Sequence, residues 1–552
     1  MIPSSIDSIN SSSRLADVVA GISIAGLLLP EAVAYSSIGN LPPQAGVVAL
    51  VSGLICYGVL GRSRFAIVAA TSSSAAVMAA ATASLAGGDA ALRITLAVGL
   101  ILLTGAFFVA ASLAQLGGIS AFIAKPVLRG FAFGLSLLII IKQLPKIVGV
   151  HPKHPDFLRF AIELFERIEQ WNGYGFALAA VALTLLFSLS RARRLPGALL
   201  VIALAVALGY VVEFSTFGIE LVGPINLALS APTVPDLDRA QWLRLAELAV
   251  AMVLILYAES FSAIQTYALK HGDETSPNRD LLALGAANLL SGLFHGMPTG
   301  AGFSATSANE AAGAQSRVAG WVCLTVALLA LLTLLPEIAR TPEPVLAAIV
   351  IYAVSHSLKL GVFRPYFMLR RDRLVVVASA LCVLLFGVLD GLLAGIGLSL
   401  IMMLRSWSQT SVSRLGRIGR SHDFASVTTH PEATPIVGVL ILRPEAPLFF
   451  ANVVRVLHEA QLALATQSDI HTLILSMEES PDLDSTSIEA LEDFARINAG
   501  AGRRLILTRL KASAQDVLLR ASIEYLPASV LMDLSVDDAV DAALHSTLAQ
   551  QC

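Results

Sequence analysis

Fourteen apolar spans follow one another between residues 18 and 404, and they constrain this fold more than any other feature. Several are shorter than the roughly 20 residues that a straight membrane crossing needs, which predicts broken or buried helices. With 56% hydrophobic and 14% charged residues, the composition excludes an ordinary soluble domain. The chain is predicted to be a polytopic α-helical membrane protein. The spans are 18–38, 45–60, 65–86, 94–117, 119–141, 174–190, 196–213, 245–262, 281–294, 301–312, 318–335, 345–358, 374–389 and 391–404.

A polar, glycine-rich stretch, Gly296 to Ala314, interrupts these spans. Non-helical backbone at membrane depth survives only where it is buried in protein or lines a watery cavity. We therefore predict an extended run from Thr299 to Ser304 and a half-helix that starts near Ser304 to Ser307. Such a half-helix offers free N–H groups and a positive dipole end to an anion. The alternative is that Asn309 and Glu310 belong to a surface loop.

A second break of the same kind is predicted in the third span. There, β-branched and small residues from Phe65 lead into four consecutive hydroxyl side chains, Thr71 to Ser74. The change predicts another short strand followed by a half-helix.

Two carboxyl groups lie inside apolar spans, Glu31 after a proline in the first and Glu259 in the eighth. Ionisable residues at such depth are candidate functional residues. Because burial favours the neutral form of a carboxyl group, either could load and release a proton. The alternative for Glu31 is that its side chain reaches water at the membrane surface.

An internal repeat is indicated by three pairs of similar features. Arg14-Leu-Ala-Asp17 recurs 230 residues later as Arg244-Leu-Ala-Glu247, Glu31 precedes Glu259 by 228 residues, and Thr71 precedes Ser304 by 233. A copy of seven spans re-enters the membrane from the opposite side, so the repeats would be inverted. Each pair by itself could be coincidence.

The distribution of basic residues predicts the topology. If both termini are cytoplasmic, the loops at 62–64, 125–129, 191–194 and 364–373 all lie inside, as the positive-inside rule requires. Residues 1–13 are then a cytoplasmic tail, and we expect a multi-pass protein of a cell membrane, with a bacterial inner membrane favoured. A net charge of −3 gives no sign of a nucleic-acid surface.

The chain divides into a transmembrane domain, 14–410, with repeats at about 14–213 and 244–410, a basic linker, 411–434, and a soluble domain, 435–552. In the soluble domain, strands are predicted at 436–442, 472–477, 504–508 and 530–532, with helices at 451–465, 485–499, 513–521 and 536–548. This alternation predicts a small α/β domain. Ser485 or Thr486 is either a helix N-cap or a phosphorylation site.

The chain resembles the sulfate permease (SulP) family of anion transporters, and its C-terminal part resembles the STAS domain that such transporters carry. The matching stretches are Asp17-Val-Val-Ala-Gly-Ile, Leu29-Pro-Glu-Ala-Val-Ala-Tyr-Ser36, Leu41-Pro-Pro-Gln-Ala-Gly46, Gly61-Arg-Ser-Arg64, Gly130-Phe-Ala-Phe-Gly134, Glu259-Ser, Gly285-Ala-Ala-Asn-Leu-Leu-Ser-Gly292, Gly302-Phe-Ser304, Ala308-Asn309 and Ala312-Gly-Ala314. In the C-terminal part they are Arg443-Pro, Leu448-Phe-Phe-Ala-Asn452 and Leu483-Asp-Ser-Thr-Ser487.

The resemblance implies fourteen segments in two inverted seven-segment repeats, a core domain beside a gate domain, a homodimer, and an anion held between the third and tenth half-helices. The sequence departs from the family at Ala69-Ala70, where Gly-Pro is common, and at Ala305, where an arginine is common. The anion must therefore be neutralised by helix ends, hydroxyl groups and a co-transported cation. The predicted substrate-site residues are Thr71, Ser72, Ser73, Gly302, Phe303, Ser304 and Ala305.

The predicted function is secondary transport of a small anion, either bicarbonate, sulfate or a dicarboxylate, coupled to H⁺ or Na⁺ by elevator-like alternating access. Glu259 and Glu31 are the predicted ion-coupling residues, and no other cofactor and no enzymatic activity are expected. The alternatives are an uncoupled anion channel or exchanger, a nucleobase permease of related fold, and a sensor. The C-terminal domain is expected to act in folding, assembly or regulation, with a regulatory partner.

Overall fold

The structure, a computed structural model, describes residues 11–87, 89–118, 125–150, 152, 157–189, 197–223, 231–355, 358–368, 372–409, 411–467 and 469–551. Most of the N-terminal tail and the basic loops at 191–194 and 369–371 lie outside these residues. The chain forms two compact units, Met1–Ser399 and Leu400–Cys552.

Fourteen helices correspond to the fourteen predicted spans, and two short helices, α6 and α14, connect spans. Among the described residues, six helices are long and apolar enough to cross a membrane. The helices are α1 (Ser11–Ile38), α2 (Pro43–Leu60), α3 (Ser72–Ala86), α4 (Ala90–Leu113), α5 (Lys125–Val148), α6 (Phe157–Glu166), α7 (Gly173–Leu189), α8 (Gly197–Gly209), α9 (Arg239–His271), α10 (Pro277–Leu293), α11 (Phe303–Ala311), α12 (Val318–Ile338), α13 (Glu343–Ser355), α14 (Arg364–Met368), α15 (Arg373–Phe386) and α16 (Val388–Ser408).

The spans of the two repeats pack against each other in two bundles. In the core bundle, α1–α4 with α9–α12, α1 packs on α12 and α10 packs on α4 and α2. In the gate bundle, α5–α8 with α13–α16, α5 packs on α15 and α13. Each bundle therefore combines helices from both halves of the sequence.

The two predicted breaks meet at the centre of the core bundle. Strand β1 (Val68–Ala70) pairs antiparallel with β2 (Thr299–Ala301), with Ala69 opposite Gly300. Pairing satisfies backbone groups that a membrane interior would leave without partners. The antiparallel register is also what two equivalent segments of opposite orientation require.

The repeated Arg-Leu-Ala motif is followed by an acidic residue in both copies, but the two acidic residues make different contacts. Asp17 is buried, and it accepts hydrogen bonds from the N–H groups of Gln315 (2.7 Å) and Ser316 (3.0 Å) just before α12. Glu247 is exposed and faces Arg244 at 3.6 Å. The acidic residue of the first copy thus anchors a loop, whereas that of the second forms a surface ion pair of small expected stability.

Close packing holds β1 against α2, and Gly53 makes it possible. A Cβ atom on Gly53 would lie 2.2 Å from the carbonyl oxygen of Val68, whereas one on Gly320 in α12 would meet nothing within 4 Å. We expect Gly53→Ala to destabilise the protein by about 1–3 kcal/mol, because backbone must move to admit the methyl group. Gly320→Ala is the matched control. Thermal unfolding in detergent measures both, and equal midpoints would contradict this account of the packing.

The C-terminal unit is a mixed sheet flanked by helices. Its strands run in the order β4-β3-β6-β7-β8, with β5 beside β3, and β6, β7 and β8 are parallel. The strands are β3 (Val412–Ile418), β4 (Phe424–Ser426), β5 (Ala433–Thr434), β6 (Val439–Pro444), β7 (Thr472–Ser476) and β8 (Arg504–Thr508), and the helices are α17 (Val453–Ala465), α18 (Ser485–Gly500), α19 (Ala512–Ala521) and α20 (Val536–Gln551).

Three predictions for this unit were wrong. The predicted linker, 411–434, contains β3, β4 and β5, and β3 pairs antiparallel with β6. These strands are polar and only partly buried, so they lack the apolar pattern that identified the others. The predicted strand at 530–532 is reduced to a single bridge between Leu507 and Leu531.

The third correction concerns the start of α18. Neither Ser485 nor Thr486 is its N-cap; Asp484 is, and it accepts a hydrogen bond from the Ser487 N–H at 2.8 Å. Although partial burial raises the pKa of the Asp484 carboxyl, hydrogen bonds from Ser487 and from the Phe450 N–H lower it below its usual value. This carboxylate therefore supplies the cap, and the hydroxyl groups of Ser485 and Thr486 are not needed for it.

Candidate functional site

The site is built around the N-terminus of α3. Thr71 is the N-cap: its hydroxyl accepts the Ser74 N–H at 3.1 Å, and the Ser74 hydroxyl accepts the Thr71 N–H at 3.0 Å. This reciprocal capping box fixes the direction in which the helix starts. The run of hydroxyl residues from Thr71 thus defines the helix start, as predicted.

The N-terminus of α11 comes close to it from the other repeat. Gly302 is the N-cap and has no side-chain cap, so the helix begins at Phe303, slightly before the predicted range. A Cβ atom on Gly302 would lie 3.2 Å from the Thr71 methyl carbon, which indicates that the two helix starts nearly touch. Asn309 and Glu310 lie within α11, so the surface-loop alternative was wrong.

Both helix starts present free N–H groups. The first N–H groups of a helix have no intrahelical partner. Within the described part of the chain, no hydrogen bond is found for the N–H groups of Ser72 and Ser73 on α3, or of Phe303, Ser304 and Ala305 on α11. Two opposed positive helix ends with unpaired donors form an arrangement suited to an anion.

The side chains of the predicted residues divide into three groups. Thr71 and Ser73 are buried and Ser72 is half-buried, whereas Ser304 is exposed and Phe303 has 47% of its surface exposed. Exposed residues at the start of α11 leave this helix end open to a ligand.

Ala305 forms the third group, because its side chain is buried among apolar residues. Its side chain is only 6% exposed and packs in an apolar cluster with Ile24, Leu28 and Ala69. It therefore does not line the gap between the helix ends. Only its backbone N–H is placed to contribute to the site.

Glu259 is joined directly to the α3 start. The Ser73 hydroxyl donates a hydrogen bond to Glu259 Oε2, and the Thr71 and Ser73 hydroxyl oxygens are 2.9 Å apart. Glu259 also interacts with the Thr71 side chain. A mid-membrane carboxyl group and two predicted substrate-site hydroxyl groups thus form one hydrogen-bonded set.

Glu31 lies near this set but is separate from it. It is 4% exposed, so the alternative that it reaches surface water was wrong, and its Oε1 has no hydrogen-bond partner among the described residues. The phenol of Tyr35, one turn further along α1, interacts electrostatically with both Glu31 and Glu259. Tyr35, which the sequence did not single out, therefore lies within electrostatic reach of both carboxyl groups.

Three further residues, none of them predicted as a site residue, hold the strand break in place. The Asn288 amide both accepts from the Thr299 N–H and donates to the Thr299 carbonyl, each at 2.9 Å. The Ser260 hydroxyl accepts from the Ala301 N–H at 2.8 Å, and the Ser74 hydroxyl donates to the Pro298 carbonyl at 3.0 Å. A polar side chain inside an apolar span, such as Asn288, was the signal that could have identified them.

Comparisons with known proteins identify the family of the chain. The sulfate permease family matches residues 15–378, and the STAS domain matches residues 430–539. A probable sulfate transporter of Mycobacterium tuberculosis is 29% identical over 92% of this chain and 91% of its own length. A probable sulfate transporter of Arabidopsis thaliana is 27% identical over 96% of this chain and 81% of its own.

Solved structures show the same fold. The murine Solute Carrier 26 family member A9 anion transporter, in the inward-facing state, superposes with a TM-score of 0.89 at 22% identity and covers 98% of this chain and 92% of its own. The transmembrane domain of the cyanobacterial bicarbonate transporter BicA has a TM-score of 0.63 at 20% identity, over 69% of this chain and 98% of its own. Both matches support the architecture described above.

Proposed function

Because the chain belongs to the sulfate permease family, a family of membrane transporters and not of enzymes, we propose that it is a secondary active transporter of a small anion. The observation that carries the proposal is the pair of opposed helix starts at Thr71 and Gly302, with unpaired N–H groups on both. Bicarbonate, sulfate and a dicarboxylate are the substrates that we consider, since each presents oxygen acceptors to such donors.

We propose that H⁺ or Na⁺ is transported with the anion. The chain has Ala305 where a fixed arginine is common in the family. Glu259 accepts a hydrogen bond from Ser73 at the α3 start, and Tyr35 interacts electrostatically with both Glu259 and Glu31. Two carboxyl groups beside an anion are unfavourable unless a cation is bound with it. Cation coupling removes this repulsion and gives the gradient a means of driving uptake.

We propose alternating access in which the core bundle moves against the gate bundle. Contact between the bundles includes the C-terminal ends of α1 and α5, where Lys146 donates a hydrogen bond to Ser37. On the same side, Val33 of α1 is buried in the apolar cluster of the gate bundle with Ile147 and Val345. An elevator-like movement would have to break these contacts between the bundles and form others.

The test is uptake of labelled anions by proteoliposomes that contain the full chain. Sulfate, bicarbonate, succinate, fumarate, chloride and uracil form the panel, each measured with and without an inward H⁺ or Na⁺ gradient. We expect one small anion to accumulate only when a cation gradient is present. Saturable uptake that neither gradient stimulates would favour the uncoupled channel or exchanger, and uptake of uracil alone would favour a nucleobase permease.

We propose that the protein is a homodimer in a bacterial inner membrane with both termini cytoplasmic, and that its STAS domain regulates transport through a partner or through assembly. In that case the transport residues all lie in the membrane unit. The basic loops support this orientation.

Removal of residues 411–552 is expected to lower expression or rate but to leave anion preference and ion coupling unchanged. Removal of 435–552 alone should be more damaging, because β3 then loses its partner β6 and exposes an unpaired edge. Size-exclusion profiles and the anion panel measure both effects. A well-folded 411–552 deletion that changes the order of preferred anions would contradict this division of labour.

A further inference from the structure

Hydrogen bonds give the hydroxyl groups at the α3 start a defined direction. Ser73 donates to Glu259 Oε2, so its oxygen accepts from Thr71 at 2.9 Å, and the Thr71 oxygen in turn accepts from the Ser74 N–H at 3.1 Å. When Glu259 is charged, it is the strongest acceptor in reach. Both O–H bonds then point along this chain toward the carboxylate and away from an anion at the helix start.

Few other charges act on Glu259. Its interactions are with Ser73 and Thr71 on α3, and with the phenol of Tyr35 on α1, which also interacts with Glu31. Across the described residues of the helices and strand packed on α9, no lysine, arginine or histidine side chain contacts Glu259. The ionic state of Glu259 therefore sets the direction of the hydroxyl chain without competition from a fixed cation.

We propose that a cation bound at Glu259 reverses this hydroxyl chain and so prepares the α3 start for the anion. The inference rests on the proposed function and supplies its coupling step. A proton on Glu259 turns the carboxyl group into a donor to the Ser73 oxygen. Ser73 then donates to Thr71, and the Thr71 hydroxyl, which already accepts the Ser74 N–H, is free to donate to an anion.

Na⁺ would have the same effect by another route. It would bind the Glu259 carboxylate together with the oxygen atoms of Ser73 and Thr71, which are ligands of the type that hard cations prefer. Their protons must then point away from the ion, toward the anion. Either cation thus replaces oxygen lone pairs at the helix start with hydroxyl donors, and the two sources are separated by the gradients used in the test.

The test is the cation dependence of anion exchange by Ser73→Ala in proteoliposomes of the full chain, with no gradient imposed. For the wild type, we expect KM for the anion to fall about tenfold when H⁺ or Na⁺ is raised, since one hydrogen bond to a charged group is gained. In Ser73→Ala we expect KM to be high and independent of the cation. Ser73→Thr, which restores the hydroxyl, should restore the dependence.

Thr82→Val is the matched control, because Thr82 lies on the same helix and its hydroxyl bonds only within α3, to the Met78 carbonyl at 2.9 Å. It should behave as the wild type. If Ser73→Ala does not fold, Thr71→Val tests the other end of the chain, with Thr71→Ser as its conservative partner. The same loss of cation dependence is expected.

Two results would overturn the inference in distinguishable ways. If a folded Ser73→Ala or Thr71→Val variant keeps the wild-type dependence of KM on the cation, the hydroxyl chain is not the coupling element, although cation-coupled transport stands. If the wild type itself shows no response to H⁺ or Na⁺ in exchange or in uptake, cation coupling fails, and the inference fails with it.

Discussion

Glu259→Gln is expected to abolish gradient-driven accumulation of the anion while it preserves exchange. The substitution keeps the shape of the side chain and a hydrogen-bond partner for Ser73, but it removes the group that gains and loses a charge. A ligand drives transport only through its differential binding to the states involved. The ratio of internal to external anion should therefore fall to about 1 in the mutant under any cation gradient, because no coupling free energy remains.

Glu247→Gln is the matched control for this measurement. Glu247 is on the same helix but is exposed and faces Arg244, so its loss should leave accumulation unchanged. If Glu259→Gln still concentrates the anion as the wild type does, Glu259 is not the coupling residue, and Glu31 becomes the candidate to test next.

Ser304→Leu is expected to block transport. Ser304 is exposed in the first turn of α11, two residues after Gly302. A Cβ atom added to Gly302 would lie 3.2 Å from the Thr71 methyl carbon, so this part of α11 is close to the α3 start. A leucine side chain there would fill the gap between the two helix starts and cover their N–H groups. We expect the initial rate of anion exchange to fall by at least ~10-fold, the effect of about 1.4 kcal/mol of lost binding.

Ser304→Ala controls for loss of the hydroxyl alone and should retain most of the exchange rate. Ala305→Leu gives a contrast, since Ala305 packs in the apolar cluster: it should lower thermal stability through overpacking, by about 1–3 kcal/mol, instead of plugging the gap. Normal exchange by a folded Ser304→Leu protein would place the anion elsewhere.

The positions of the two breaks were predictable because glycine and hydroxyl clusters are rare inside apolar spans. Thr71 was identified in this way, and it is the N-cap of α3. The hydrogen bond between Ser73 and Glu259 was not predictable, since the two residues are 186 positions apart and meet only through the packing of α3 on α9. The side-chain direction of Ala305 likewise depends on α11 beginning at Phe303.

Local pattern was a weaker guide where strands are polar. Residues 411–434 were predicted as a linker because basic and hydroxyl residues dominate them, yet β3 obtains its place from pairing with β6. Strand pairing is a non-local interaction that polarity does not reveal. Similarly, the sequence identified Asn288 only as part of a family motif. The structure shows that its two hydrogen bonds to Thr299 hold β2 in place.

A structure of the protein saturated with the anion that the uptake panel identifies tests the central claim most directly. We expect density for one anion between the starts of α3 and α11, with its oxygen atoms about 2.7–3.2 Å from the backbone nitrogen atoms of Ser73 and Ser304. Density should be absent from this position in Ser304→Leu. An anion bound elsewhere in the membrane unit, with the gap between Thr71 and Gly302 empty, would contradict the account.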